Sequence, residues 1–406
     1  MTPRQTTRGA WLAVVAVVAV SLNLRPGATV VGPLMAEILA DLGQGSTWGG
    51  LLTAMPGLCF AAFGALAVGL AVRVGLNRAL WLGAAVTAVG LLARAFVPDA
   101  AAFLAFTALG YAGIAVGNVL LPAFIKRRFP GHVAGMMTLY SCLLAVGATL
   151  ASAAAVPLAS VLPGQWRGSL AVWGGVAALA VVPMLAVAVT EGSARVRGPR
   201  PERGPSLVRS RRAVALGIFF GVQSMQAYTQ FGWAAQMYRD GGVDAADAGL
   251  LVSLIASFGI VTGLVMATVV ERVRDLRGVV VALGVLLVVG YLGILYAPTT
   301  VPWLWAVSLG LSGAAFPMAL ALVTARSRDP HVTARLSAFG QSIGYALAAL
   351  GPFAVGVIHG RTGSWTLPLW LLIGSAVVMV AAGLVASAPG DVDDDLSGVP
   401  GRAPGR

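Results

Sequence analysis

The sequence predicts an all-α membrane protein whose twelve transmembrane helices form two pseudo-symmetric bundles of six. The chain has 406 residues, of which 58% are hydrophobic and only 10% are charged, whereas soluble proteins carry roughly 25% charged residues. Twelve apolar runs are each long enough to cross a hydrocarbon layer about 30 Å thick. Motifs of the first half recur in the second half at an offset of 200 residues. The lipid bilayer is therefore the expected environment of the chain.

The twelve predicted spans divide into two sets of six around one long polar loop. The first set covers approximately 10–36, 47–71, 78–97, 101–125, 133–161 and 168–190, and the second set covers 211–238, 246–270, 278–297, 301–325, 333–359 and 364–388. These runs lack the two-residue alternation that is typical of outer-membrane β-barrel strands. We therefore expect every span to be helical.

This division predicts four regions. They are an N-terminal bundle over 1–190, a basic cytoplasmic linker over 191–210, a C-terminal bundle over 211–390 and a tail over 391–406. The tail is rich in Gly, Pro and Asp, a composition typical of disorder. We therefore expect a disordered cytoplasmic tail.

The basic residues orient the spans. Twenty-two of the 27 Lys and Arg fall on the side of the N-terminus, and apart from Arg25 the other side keeps only Arg94, Arg167, Arg239 and Arg361. The positive-inside rule then predicts a multi-pass protein of the cytoplasmic (inner) membrane with both termini in the cytoplasm. Because the arginines are spread over short loops and tails, they do not indicate a nucleic-acid surface. We expect a monomer.

The internal repeat supports two parallel halves. Leu109-Gly110 corresponds to Leu309-Gly310, and the basic pattern that begins at Lys126 corresponds to the one that begins at Arg326. Two parallel six-helix halves that are joined by a cytoplasmic loop are typical of secondary transporters that work by alternating access. The fold thus predicted is the major facilitator fold.

One charge lies deep in the first span. Arg25 follows Trp11 by fourteen residues, which places it about 21 Å along the helix. A charge at the bilayer centre costs about 2.5–3.5 kcal/mol, and no carboxylate is expected at that depth. We interpret Arg25 as the anchor for an anionic or strongly polarised solute. The alternatives are a side chain that snorkels to the interface or one that ties two helices together.

The neighbours of Arg25 have open roles. Pro26 cannot donate a backbone hydrogen bond and clashes with the carbonyl of Leu22, so it predicts either a break between two half-helices or an ordinary kink. Asn23 can brace Arg25 or contact the solute.

The seventh span is unusually polar. Gln223, Gln226 and Gln230 follow a spacing of i, i+3, i+7 and so share one helix face. We favour a face that lines the solute cavity, because three amides exceed what one helix contact uses. The alternative is hydrogen bonding between helices, worth about 0.6 kcal/mol per contact.

Other polar residues are weaker candidates. Gln341 and Tyr345 lie one turn apart in the eleventh span, and Tyr140 lies in the corresponding part of the fifth. All three can line the cavity or serve helix packing. Asn118 lies among glycines that indicate close packing, and Lys126 is assigned to orientation and gating.

The sequence also excludes several classes of protein. It contains no cluster of metal ligands and no phosphate-binding loop, so we expect no cofactor, and no enzyme. No carboxylate is predicted near the bilayer centre, which disfavours a proton-coupled multidrug exporter. A solute receptor is a third hypothesis, but the linker is too short to hold a signalling domain. Transport of a small-molecule solute is the favoured function.

Three motifs resemble one family of transporters. They are Asn23-Leu24-Arg25-Pro26, the string Gly117-Asn118-Val119-Leu120-Leu121-Pro122, and Leu336-Ser337-Ala338-Phe339-Gly340-Gln341. The set is similar to the cyanate and 2-nitroimidazole transporter (CynX/NimT) family of the major facilitator superfamily. The resemblance implies transport of a small anionic or nitro-like polar solute without fixing which one. The chain departs from the pattern at Arg128, where an acid is expected, and over 73–78, which lacks the Asp of the superfamily signature.

Overall fold

The computed structural model describes residues 7–190, 205–273 and 275–397. This part forms sixteen α-helices and contains no β-strand. In chain order they are α1 (Thr7–Asn23), α2 (Pro26–Thr29), α3 (Met35–Asp41), α4 (Ser46–Val74), α5 (Leu76–Ala93), α6 (Ala100–Arg128), α7 (Val133–Val161), α8 (Trp166–Thr190), α9 (Arg211–Asp240), α10 (Ala245–Arg272), α11 (Arg277–Tyr296), α12 (Pro302–Ser312), α13 (Ala315–Ala325), α14 (Pro330–Thr362), α15 (Thr366–Ala386) and α16 (Val392–Ser397). Residues 191–204 of the predicted linker lie outside the described residues. The predicted all-α class is confirmed for the described residues.

The apolar helices account for most of the predicted spans. Within the described ranges, ten helices are long and apolar enough to cross a membrane, and the bent helix α4 makes eleven. The axis of α4 turns by 45° between Ser46–Gly64 and Leu66–Val74. The remaining predicted span is α9, a helix of 30 residues. Its glutamines make it less apolar than the other spans. Counting it as the twelfth membrane-spanning helix therefore depends on its length and its position in the bundle.

Two spans are interrupted. The first consists of α1, α2 and α3, with a 3₁₀ turn over Gly32–Leu34 between the last two. The break between α1 and α2 occurs at the Pro26 that the sequence singled out. The tenth span is divided into α12 and α13.

The two halves meet along two pairs of helices. Helix α4 packs against α14, and α7 packs against α10. We call the end of the bundle that holds Glu37 in α3 the Glu37 end, and the opposite end, where α6 finishes, the Lys126 end. These names describe position in the fold without assuming a side of the membrane.

The halves are in closest contact at the Glu37 end. A methyl group on Gly356 of α14 would lie 2.5 Å from the Cα of Gly50 in α4, and one on Gly249 of α10 would lie 3.2 Å from the carbonyl oxygen of Ser152 in α7. Only glycine allows two backbones to approach so closely. This end of the bundle is therefore closed.

The halves separate toward the Lys126 end. Methyl groups on Gly69 of α4, Gly340 of α14, Gly135 of α7 and Gly263 of α10 would meet no neighbouring atom within 4 Å in the described chain. All four glycines lie beyond the contacts that close the Glu37 end. The space between the halves is therefore open at the Lys126 end.

Part of the tail is ordered, in contrast to the disorder expected for 391–406. Residues of α16 and the turn before it dock on the first turn of α9 and the loop before α14. Asp395 accepts a hydrogen bond of 2.6 Å from Ser210 and pairs with Arg212, while Arg328 pairs with Asp391 at 2.9 Å. Several charge-assisted contacts in one network offset the entropy that composition alone would leave in the tail. Residues 398–406 lie outside the described ranges.

Candidate functional site

The site is organised by the break in the first span. Helix α1 ends at Asn23 and α2 begins at Pro26, so Arg25 lies between them with φ −120° and ψ −35°. Proline removes the backbone donor that would reach Leu22. Gly147 of α7 packs against that carbonyl, because a methyl group on Gly147 would lie 2.3 Å from the oxygen of Leu22. The break is thus a feature of the packed structure and is supported by a neighbouring helix.

Arg25 projects from the N-terminal half toward the C-terminal half. Its Nη1 donates a hydrogen bond of 3.1 Å to the hydroxyl of Tyr228 in α9. The guanidinium carbon lies 5.9 Å from the centroid of the same ring, a cation–π distance. Tyr140 and Tyr345 are also near enough to interact electrostatically with Arg25. Arg25 remains partly exposed, so a ligand can reach it.

Aromatic side chains complete the surroundings of Arg25. Phe60 of α4 lies with its ring centroid 6.4 Å from that of Tyr228 and 5.6 Å from that of Tyr345, both in edge-to-face arrangements. Tyr140 donates a weak hydrogen bond of 3.4 Å to Oδ1 of Asn118. We call Arg25, Phe60, Tyr140, Tyr228 and Tyr345 the central cluster. It combines a planar cation, three hydroxyl groups and flat apolar surfaces from both halves.

Asn23 packs helices together. Its amide nitrogen donates to the carbonyl of Ala19 at 2.8 Å and to that of Val176 in α8 at 3.2 Å. The side chain is 6% exposed. It therefore attaches α1 to α8 and braces the end of the helix that precedes Arg25. Of its two open roles, the geometry supports the brace.

The glutamine face of α9 points into the C-terminal half. The Gln226 amide donates to the carbonyl of Leu372 at 2.9 Å and to Ser375 at 2.7 Å, and its oxygen accepts a hydrogen bond of 2.5 Å from Tyr291. Gln230 reaches the same Tyr291 hydroxyl at 3.4 Å. This is the interhelical alternative, and the expectation of a cavity-lining face does not describe the structure. The physical reason is that α11 and α15 supply enough polar partners to satisfy the amides.

Gln223 is also buried, but its hydrogen-bond partners lie within α9 itself. Its amide nitrogen donates to the carbonyl of Phe220 at 2.9 Å and to Ser224 at 2.7 Å, and the side chain is 4% exposed. It belongs to the buried polar face of α9. None of the three predicted glutamines contacts the central cluster through a hydrogen bond recorded in the described structure.

Two further candidates differ in position. Gln341 accepts a long contact of 3.5 Å from the hydroxyl of Tyr345 and donates to Ser337 at 2.9 Å, so it holds Tyr345 at the edge of the central cluster. Lys126 is exposed in the last turn of α6. Its position at the Lys126 end, several turns from Arg25, fits a role in orientation or gating.

Tyr228 and Phe60 are the residues that sequence reasoning missed. Tyr228 lies two positions from Gln226, on the side of α9 that faces the N-terminal half. Tyr228 belongs to the same polar run of the seventh span as the glutamines, but it lies on the opposite face of the helix. Examining that second face would have identified it. Phe60 carries no signal in an apolar helix, because nothing in the sequence distinguishes it from a lipid-facing phenylalanine.

Arg25 is the one charged member of the central cluster. No described carboxylate forms an ion pair with Arg25. The carboxylates of the described helices lie in first or last turns or in loops, as Glu37, Asp99 and Asp240 illustrate. No group of three or more potential metal ligands occurs in the ranges that the structure describes. The arrangement can therefore hold an electron-rich solute by electrostatics and hydrogen bonding.

Comparison with known proteins agrees with this architecture. The sequence model of the Major Facilitator Superfamily matches residues 18–352. The chain is 37% identical over 378 residues to the uncharacterized transporter YycB of Bacillus subtilis (strain 168), with 92% of each chain covered. It is 32% identical to the 2-nitroimidazole transporter of Escherichia coli (strain K12), covering 90% of this chain and 93% of that protein.

Two further comparisons complete the picture. The chain is 31% identical to the cyanate transport protein CynX of Escherichia coli (strain K12), covering 86% of this chain and 90% of that protein. The crystal structure of a mutant of the nucleoside transporter NupG superposes with a TM-score of 0.75 at 13% identity, covering 93% of this chain and 99% of the other. The structural likeness concerns the fold alone.

Proposed function

Because the chain belongs to the Major Facilitator Superfamily and is a multi-pass membrane transporter, we propose that it moves a small anionic or nitro-like polar solute across the cytoplasmic membrane. Arg25 is the anchor for this solute in the proposal. The N-terminal and C-terminal bundles act as the two moving halves, with both termini in the cytoplasm.

The observation that carries the proposal is the environment of Arg25. The side chain is partly exposed between the halves and lacks a described carboxylate partner, and its hydrogen-bond partner Tyr228 belongs to the opposite half. An unpaired guanidinium in a membrane protein is costly. A bound anion or nitro group relieves this cost, because two oxygens match the planar fork of arginine.

The names of two relatives agree with such a solute. Cyanate is a small anion and 2-nitroimidazole is a planar ring with a nitro group, and the relatives with these names are about equally similar to this chain. The aromatic rings of Phe60, Tyr228 and Tyr345 offer flat surfaces to a planar solute. Aromatic pairs of this kind contribute about 0.5–1.5 kcal/mol beyond burial, so we expect planar solutes to bind more tightly than spherical ions.

Alternating access is the proposed mechanism. The closed Glu37 end and open Lys126 end correspond to one of its two states. With the N-terminus in the cytoplasm, this state faces inward. A solute that contacts both Arg25 and Tyr228 adds to the hydrogen bond that already joins the halves there. This favours a closed intermediate and lets the Lys126 end close around the solute.

The test is uptake of radiolabelled 2-nitroimidazole and cyanate into liposomes that contain the purified protein. Arg25→Gln removes a charge-assisted contact worth about 1.5–3 kcal/mol, so we expect apparent affinity to fall by roughly 10- to 150-fold. Arg25→Lys should keep part of the activity, because a point charge lacks the planar fork. Arg361→Gln is the matched control, since it makes the same change at an exposed arginine of α14.

Two results would contradict the proposal. The first is normal uptake by Arg25→Gln. The second is proton-driven export of apolar dyes with no response to either probe, which is what the multidrug alternative requires. A solute receptor would bind the probes with no accumulation inside the liposomes.

A further inference from the structure

A second arginine lies next to the break in the first span. Sequence reasoning placed Arg94 on the loop side of the third span, but the structure buries it completely, with 0% of its surface exposed. Its Nη2 donates a hydrogen bond of 2.9 Å to the carbonyl oxygen of Gly27. The hydroxyl of Tyr111 in α6 donates to the same oxygen at 3.1 Å. Two donors from two helices thus converge on one carbonyl, two residues after Arg25.

We propose that Arg94 is a positioning residue for solute recognition: it holds the break between α1 and α2 through the carbonyl of Gly27, and so keeps Arg25 directed between the two halves. The ligand-binding part of this inference rests on the proposed function. The structural part concerns this chain's own residues and does not depend on any solute.

The carbonyl of Gly27 needs such a donor. Helix α2 has only four residues and ends at Thr29. The amide of Val31, which would reach the Gly27 carbonyl in a continuous helix, pairs with the carbonyl of Ala28 at 3.4 Å instead. A buried carbonyl without a partner is strongly disfavoured, and water is scarce at this depth in a membrane. Arg94 and Tyr111 together replace the missing donors. A break at Arg25 is therefore compatible with burial only while these side chains are in place.

The presence of an arginine, and not a neutral donor, at position 94 needs a physical reason. Its Nε and Nη1 have no hydrogen-bond partner among the described residues, and it forms no ion pair with a described carboxylate. A neutral side chain could donate one hydrogen bond at a lower desolvation cost. Arginine is nevertheless suited to this place, because α5 ends at Ala93 and α1 ends at Asn23. The carbonyl end of a helix favours a cation.

The far side of the break is held independently by α7. The hydroxyl of Thr29 donates to the carbonyl of Ala148 at 3.3 Å, and that of Ser152 donates to the carbonyl of Thr29 at 3.2 Å. The hydroxyl of Thr29 also donates to the carbonyl oxygen of Arg25 at 3.3 Å. With Thr29 fixed on α7, loss of Arg94 frees the segment at Gly27. Arg25, two residues before Gly27, is the member of the central cluster that lies on this segment.

The experiment follows the reactivity of Arg25 toward phenylglyoxal by peptide mass spectrometry of the purified full-length protein. Arg25 is partly exposed and Arg94 is not, so in the unaltered protein the reagent should modify Arg25 and spare Arg94. Arg94→Met keeps an unbranched, flexible side chain and removes the charge and the donors. We expect the rate at Arg25 to change by at least threefold in this variant. Arg94→Lys keeps a charge and a donor and should restore most of the original rate.

A second readout separates positioning from a general structural role. Arg94→Met should weaken binding of 2-nitroimidazole, measured as ligand-induced thermal stabilisation, by about tenfold, which is about 1.4 kcal/mol. In an Arg25→Gln background the same change should have no further effect on binding. A residue that only stabilises the bundle would lower the melting temperature equally in both backgrounds and leave the ligand response unchanged.

Three outcomes decide the matter. Unchanged phenylglyoxal reactivity of Arg25 in folded Arg94→Met overturns the proposal, as does an additive effect of the two substitutions on binding. If Arg94→Met does not fold, Tyr111→Phe removes the other donor with little change in volume. It should then change the rate at Arg25 relative to the unaltered protein, and an unchanged rate overturns the proposal. Absence of 2-nitroimidazole binding by the unaltered protein counts against the proposed function alone, because the labelling result requires no ligand.

Discussion

The carboxylate of Glu37 accepts two hydrogen bonds from the guanidinium of Arg239, at 2.7 Å and 3.0 Å. Glu37 lies in α3 of the N-terminal half and Arg239 in the last turns of α9 of the C-terminal half. Arg239 also donates to the carbonyl of Pro33 at 3.2 Å. One bidentate ion pair therefore connects the two halves at the closed Glu37 end.

Removing this ion pair should favour opening of the Glu37 end. Both side chains are partly exposed, so the pair is worth about 1 kcal/mol or less. That is enough to change the ratio of two balanced states about fivefold. Glu37→Gln should lengthen the distance between spin labels at Thr47→Cys and Arg361→Cys, in a background without Cys59 and Cys142. The reversed pair, Glu37→Arg with Arg239→Glu, should restore the short distance, and an unchanged distance in Glu37→Gln would refute a gating role.

The close approach of α4 and α14 supports a steric prediction. Gly356→Ala introduces a methyl group 2.5 Å from the Cα of Gly50, and overpacking of this kind costs about 1–3 kcal/mol. We expect the variant to lose thermal stability and to label more rapidly with a membrane-impermeant thiol reagent at a cysteine at Thr47. Gly374→Ala in α15 is the control, because its methyl group meets no neighbour within the described chain. Equal labelling in the two variants would show that α14 accommodates the methyl group.

The polar face of α9 can be tested for whether its glutamines serve helix packing or solute binding. Gln226→Leu removes the hydrogen bonds to Leu372, Ser375 and Tyr291. Leaving buried polar atoms without partners costs about 1–3 kcal/mol. The melting temperature should fall while the affinity for 2-nitroimidazole changes less than twofold. Gln236→Leu lies outside this face and should alter neither the melting temperature nor the affinity. A large loss of affinity in Gln226→Leu would indicate that the glutamines line the solute cavity.

The docked tail should contribute to stability through charge. Ending the chain at Gly390 removes the carboxylates that pair with Arg212 and Arg328. We expect a lower melting temperature in dilute buffer, because the arginines at the Lys126 end then repel one another. The difference should shrink at 1 M salt, where the screening length is about 3 Å. A chain that ends at Ser397 should behave as the full chain. A loss of stability that is independent of salt would indicate that packing of the buried Val392 and of Leu396 is the main contribution.

The sequence by itself determined the class of the protein and its most informative residue. Membrane spans are visible because apolar length is a local property. Arg25 was identifiable because it is a charge in an apolar run, and Pro26 because it lacks a backbone donor there. Neither feature requires knowledge of the neighbouring helices. The family resemblance rests on three motifs, one of which contains Arg25 and Pro26. The match of the superfamily model over residues 18–352 and the relatives of 32% and 31% identity confirm it.

Only the tertiary structure decided which residues surround Arg25. A helix of a membrane protein has apolar residues facing both lipid and neighbouring helices, so the pattern of hydropathy does not define its rotation. The rotation of α9 turns Gln226 toward α11 and α15 and Tyr228 toward Arg25. Likewise, Arg94 lies three residues before the end of the third predicted span, 78–97, and the sequence assigned it only to the outer side. Its burial on Gly27 depends on the packing of α1, α5 and α6, which no local signal reveals.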